Sequence, residues 1–146
     1  MIENLSSYVE FNHSEMSEWE FLSTVAKRSG CGLLVDVNNI FVSSFNHHFD
    51  PLTYLKAIPK EYIGQIHLAG HERSPTCIID THDDYVCDEV WELYRWAVQN
   101  WGTVNAMVEW DDQIPAWSIL MHEVNKIRVI QQEKPSANSV GITANL

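Results

Sequence analysis

Basic residues are scarce in this chain: nine Lys and Arg stand against twenty Asp and Glu, a formal net charge of −11 over 146 residues. Phosphate backbones are held by clustered Lys and Arg, so the balance argues against a nucleic-acid surface. Long apolar runs are missing too; no stretch approaches the roughly 20 uninterrupted residues of a membrane span. Met1-Ile2-Glu3-Asn4 lacks the basic and apolar regions of a signal peptide, which makes the cytoplasm the expected compartment. Cysteine is limited to Cys31, Cys77 and Cys87, an odd number without Cys-x-x-Cys spacing, so neither a disulfide framework nor a zinc ribbon is indicated.

Hydrophobic residues, by contrast, make up 45% of the chain and aromatics 11%, enough for one globular core. Ser17-Glu18-Trp19-Glu20 has the spacing of a capping box, with Met16 and Phe21 placed to staple the chain across it. A helix should follow with Trp19, Leu22, Val25 and Ala26 inward and Gly30 at its end. Gly32 to Val37 and Tyr62 to Leu68 are short continuous apolar runs, the pattern of parallel strands covered on both faces. Val104 to Trp110 reads as another strand, Met1 to Glu3 as the end of one, and Ile78-Ile79-Asp80 as a very short one. Further helices are predicted from Asp50-Pro51 to about Ala57, over Asp88 to Gln99 with Gly102 as the stop, and after Pro115. The last of these would turn Trp117, Leu120, Met121, Val124 and Ile127 inward.

Strands alternating with helices predict an α/β fold of parallel βα units. Residues 1–131 form the expected domain, and 132–146, rich in Pro, Ser, Asn and Gly without periodicity, an expected disordered tail.

Glu3, Asp36, His67, Asp80 and Glu109 each follow a predicted strand, the end at which βα barrels build their sites. One such Asp is most often a helix cap, and one such His a satisfied core group. Four carboxylates in one mouth, however, repel one another unless a cation neutralises them. The alternative is a set of caps and ion pairs with Arg73 and Lys60. Carboxylate and imidazole donors without thiolate suit iron, manganese or zinc, and more than four of them imply more than one ion.

The order Glu3, Asp36-Val37-Asn38-Asn39, Ile66-His67-Leu68, Asp80-Thr81-His82, Glu109 resembles the metal-ligand order in the second half of the xylose isomerase-like barrels, endonuclease IV included. Asn39 stands where endonuclease IV would place a histidine. Six phrases are more similar still to the multinuclear non-heme iron-dependent oxidative enzymes, the bacterial family that includes the methanobactin biosynthesis oxidase. They are Glu3 to Tyr8, Leu34 to Asn39, Asn46 to Asp50, Gly64 to His71, Asp80 to Asp83 and Val108 to Asp111.

That resemblance implies the carboxyl-terminal half of a TIM (xylose isomerase-like) barrel holding two or three irons. It also implies dioxygen-dependent modification of cysteine or other residues of ribosomally made peptides, with a partner protein presenting the peptide. By position, Glu3, Asp36, Asn39, His67, Asp80, His82 and Glu109 become the expected metal ligands, with His47 and His71 nearby. No residue is singled out as catalytic. Family members are roughly twice as long, and a half barrel has two unpaired sheet edges, so self-association or a chain supplying the first half is expected. Two other readings remain at this point: a divalent-metal isomerase or phosphodiesterase of the same barrel class, and a non-catalytic association module.

Overall fold

The computed structural model describes residues 1–133. The tail expectation falls outside the described residues from 134 onward, and Gln132 is still helical.

Strand β1 (Ile2–Glu3) leads through a long loop to helix α1 (Glu18–Ser29). The predicted capping box forms: Ser17 N–H donates to Glu20 Oε2 at 2.9 Å while Ser17 Oγ accepts from the Glu20 N–H at 3.4 Å. Gly30 closes the helix at φ 71°, a left-handed geometry that glycine adopts without a Cβ penalty. Met16 and Phe21 are both largely exposed, so the expected staple does not bury them.

Strand β2 (Leu33–Asp36) runs straight into α2 (Val37–His47), and α3 (Pro51–Ala57) follows on an Asp50 cap with Pro at its first turn. Sequence reading left α2 out. Its Val, Asn, Ser and Phe residues are weak helix formers, but Val37 to Ser44 are all buried, so tertiary packing overrides propensity. A 3-10 turn (Lys60–Tyr62) precedes β3 (Ile63–Leu68). Then come a two-stranded hairpin, β4 (Glu72–Arg73) and β5 (Ile78–Ile79), helix α4 (Asp88–Trp101), strand β6 (Ala106–Val108) and helix α5 (Trp117–Gln132).

The main sheet has the order β1-β2-β3-β6, every pair parallel. With helices between successive strands this is a partial TIM-barrel-like α/β fold. The Ile78–Ile79 strand belongs elsewhere: it pairs antiparallel with β4, outside that sheet. Leu33, Val35, Ile66 and Leu68 pack with Ile40, Leu55, Tyr54, Val90 and Tyr94 as one core. On α5 the expected inner face is buried at Ile127 and half-buried at Leu120, Met121 and Val124, but Trp117 is 73% exposed, and Glu123 and Ile130 are buried as well. No helix among the described residues is long and apolar enough to cross a membrane.

Candidate metal centre

Parallel register brings the carboxyl ends of the strands together. Asp36 lies beside His67 and His67 beside Met107, and the Glu109 N–H donates to the Leu68 carbonyl at 2.8 Å. One donor atom each from Glu3, Asp36, His67 and Glu109 falls within 4.8 Å of the others. A second group under the same limit comprises His82, Glu109 and Asp111, so Glu109 belongs to both. His67 Nδ1 is 2.8 Å from Glu109 Oε2 and 3.8 Å from Glu3 Oε1.

Asp36 is both a helix cap and a member of the first group. Its Oδ1 accepts the Asn39 N–H at 2.7 Å, capping α2, whereas Oδ2 is buried without a hydrogen-bond partner. Asn4 fixes the residue from the end of β1: its Nδ2 donates to the Asp36 carbonyl and its Oδ1 accepts the Asp36 N–H, both at 2.9 Å. Asn39 donates from Nδ2 to the Asn4 carbonyl at 3.0 Å, and its Oδ1 too is buried and unpartnered.

Asp80 and His82 arrive from the loop after the hairpin. His82 sits in the left-handed region at φ 50°, uncommon for a side chain of its size. Its N–H bonds the Gly70 carbonyl at 3.2 Å and its carbonyl accepts the Asp111 N–H at 2.7 Å, which ties the loop to the end of β3 and the segment after β6. Gly70 permits the close approach, since a Cβ there would stand 2.0 Å from the Asp84 carbonyl oxygen. His82 Nε2 lies 2.7 Å from Asp80 Oδ1, an ion pair within the loop. Asn38 lies beneath: Nδ2 donates to Asp80 Oδ1 at 2.7 Å while Oδ1 pairs with His71 Nδ1 at 2.7 Å.

Burial dominates the electrostatics. It pushes the Asp36 carboxyl up to about 7 and raises Glu3, for which the neighbouring Glu109 adds to the shift. For His82 burial works against charge, yet Asp80 first and then Asp36 and Glu109 outweigh it and push the imidazole up to about 9. Burial lowers His71, and Arg73 reinforces it.

The ion pairs expected under the alternative do not form among the described residues. Arg73 pairs with Glu89 at 3.3 Å and stacks over Phe41 and Phe45, and the other basic partners are Arg95 with Glu92 and Glu133, and Lys126 with Glu123. Of the expected site residues, Glu3, Asp36, His67 and Glu109 stand together, with Asp80 and His82 beside them, while Asn39 reaches Asp36 through its N–H and turns its amide to the Asn4 carbonyl. His71 is one layer back through Asn38. His47 is elsewhere, at the far end of α2 with Nε2 3.0 Å from the Ser7 carbonyl. Sequence reading missed Asp111, two residues beyond Glu109 and 63% exposed; its signal was that same short distance past a strand end.

Asp36 Oδ2, buried without a hydrogen-bond partner, belongs to a donor set of three carboxylates and one imidazole. That is the composition a hard or borderline metal requires, so these residues fit such an ion.

Comparison with known proteins accords with this arrangement. A UPF0276 protein of Anaeromyxobacter is 48% identical over 131 residues, which cover 90% of this chain and 46% of the relative. One of Rhizorhabdus wittichii is 51% identical over 128 residues, 88% of this chain and 46% of the relative. Another, of Caulobacter vibrioides, is 48% identical with the same coverage. The chain thus spans about half the length of the curated relatives it matches. The profile of the family described as "RiPP precursor modification enzyme MbnB/TglH/ChrH", whose members act on ribosomally made peptide precursors, matches residues 1–132, and the chain belongs to that family.

Proposed function

We propose that this chain contributes the strand-end portion of a centre of two or three irons, used to modify cysteine or other residues of a ribosomally made peptide oxidatively. The observation that carries the reading is the buried Asp36 Oδ2, left without a hydrogen-bond partner beside three other donors and with no Lys or Arg paired to it among the described residues. Glu3, Asp36, His67 and Glu109 would hold one ion, and His82, Glu109 and Asp111 a second, with Asp80 and the Asn39 amide as further donors. Iron, when bound, supplies dioxygen activation and electron transfer; zinc or manganese would fit the same donors without that redox reach.

The chain's own groups prepare the site. Asn4 and Asn38 fix Asp36 and Asp80 by hydrogen bonds, so little reorganisation remains when an ion arrives. Protons held on the Asp36 carboxyl and the His82 ring must leave for both to act as ligands, which couples metal uptake to proton release. Phosphate chemistry is disfavoured because Arg73 is engaged with Glu89.

The reading includes a companion for the sheet, a second copy or a chain supplying the remaining strands, because β1 and β6 are its outer strands. It also includes a protein that presents the peptide. The proposed setting is the cytoplasm, in keeping with three free cysteines.

The test is elemental analysis of the full chain purified without oxygen, beside Glu109→Gln. Iron should co-purify, and loss of the shared carboxylate should weaken its affinity by about 100-fold or more. Equal, trace metal in both proteins would sink the reading and leave a non-catalytic association module.

A further inference from the structure

The loop between β1 and α1, together with the first turn of α1, exposes more apolar surface than a solvated connection needs. Val9, Phe11, Met16 and Phe21 are 66%, 75%, 46% and 51% exposed. They border a groove of about 910 Å³ whose lining includes the mutually packed rings of Trp19, Phe49 and Tyr54. A space of that size accommodates a short stretch of extended peptide.

The carboxylates of the groove face one imidazole, His47, and no stronger base. Glu10, Glu15 and Glu18 line the groove, and neither Lys nor Arg does. Glu18 Oε1 accepts the Tyr54 hydroxyl at 2.9 Å and is set against the aromatic wall, whereas Glu10, 74% exposed and with Oε1 3.5 Å from His47 Nδ1, and Glu15 lie open to an approaching partner. Apolar side chains between carboxylates complement an occupant that is both apolar and cationic. A second copy of this chain is a poor candidate, since it would bring its own net charge of −11 to those carboxylates.

The loop also joins the groove to the candidate metal centre. Ser7 and Val9 face the groove, while the hydroxyl of Tyr8 between them accepts the Asp80 N–H at 2.9 Å. Ser7 is pinned from beneath, its N–H donating to Ser43 Oγ at 3.0 Å and its carbonyl 3.0 Å from His47 Nε2. One strip of chain therefore carries docking surface on one side and touches a candidate ligand on the other.

We propose that this groove docks a basic, apolar segment of the precursor peptide, outside the residue that reacts. The inference rests on the peptide-modifying reading above, and it assigns to His47 and its neighbours a docking role rather than a metal-binding one.

Fluorescence anisotropy with the full chain tests it, using a short labelled peptide alternating lysine and leucine and a counterpart alternating glutamate and leucine. The lysine peptide should bind, the glutamate peptide should not, and added salt should weaken binding. Glu10→Lys with Glu15→Lys should weaken it by about tenfold, whereas Glu61→Lys with Glu92→Lys, the same charge change elsewhere, should alter it by less than about twofold. Val9→Ser with Phe11→Ser should weaken it as well. Equal losses in the two charge-reversed proteins would reduce the effect to the overall charge and overturn the proposal. So would a wild-type dimer, seen by light scattering, that Val9→Ser with Phe11→Ser converts to monomer, because a second copy would then fill the groove. Metal content of the same preparations separates the two readings: iron without peptide binding defeats the groove alone, and peptide binding without iron defeats the proposed centre alone.

Discussion

Asp36 and Glu123 are both fully buried carboxylates, and the chain treats them in opposite ways. Glu123, on α5, has Lys126 Nζ 2.7 Å from Oε1 and the Val86 N–H donating to Oε2 at 3.3 Å, and the same ammonium lies 5.4 Å from the Trp91 ring. Its charge is met from within the fold. Asp36 has one oxygen in a helix cap, the other without a hydrogen-bond partner, and two further carboxylates beside it. Burial of a charge is tolerated where a partner compensates it. The first region supplies that partner from the sequence, and the second is built to receive it from outside.

Proton linkage sharpens the contrast most. Without metal, burial raises Asp36 from an ordinary 3.8 to about 7. Between those values the folded state binds more protons than the unfolded chain, so stability falls as pH rises through that window, by up to roughly 4 kcal/mol. His82, raised from 6.5 to about 9, continues the fall at higher pH. Asp36→Asn should remove the lower window and make the metal-free protein more resistant to urea at about pH 8, while abolishing the gain that metal gives the wild type. Urea midpoints with chelator and with metal, at about pH 5 and about pH 8, decide it. An Asp36→Asn protein less stable than wild type under chelator would mean that Asp36 is compensated internally after all.

The other region should respond without regard to metal. Lys126→Met leaves Glu123 buried and unpaired, which should cost roughly 3 kcal/mol. Denaturation with and without metal should give the same loss. A loss that depended on metal would erase the distinction between the two carboxylates.

How far these regions were legible follows from their physics. β2 and β3 announced themselves because both faces are covered, which writes a continuous apolar run into the chain. Their parallel register then places Asp36, His67 and Glu109 side by side, a consequence readable from strand ends alone. Helix α2 carries no comparable mark, since its buried circumference erases the polar face that periodicity needs. His47 was set near the cluster by resemblance alone, and eleven residues of helix carry that side chain about 16 Å along the axis from the Asp36 cap. On α5 the inward Glu123 and outward Trp117 invert the usual preference, because Lys126 and the Val86 N–H compensate the one carboxylate. Asp111 was overlooked because an exposed acid in an acidic loop has no pattern of its own.

The smallest expected effect concerns Asn38, which stands between the two kinds of region: buried and met from within the fold as Glu123 is, yet in contact with the metal side. Its Nδ2 holds Asp80 Oδ1 at 2.7 Å and its Oδ1 holds His71 Nδ1 at 2.7 Å. Asn38→Ala removes both bonds and frees the Asp80 carboxylate to rotate, which should weaken metal affinity by about tenfold. Asn38→Asp keeps an acceptor for His71 but turns the donor towards Asp80 into a second carboxylate, and in metal-free protein the two acids should compete for one proton. Metal should relieve that repulsion, so the stability deficit of Asn38→Asp should shrink on loading, while that of Asn38→Ala should grow as the loosened ligand takes less advantage of the ion. Calorimetric titration with zinc, paired with urea curves of both variants, reads the two signs. Deficits unchanged by zinc in both variants would make Asn38 a packing residue that happens to adjoin the site.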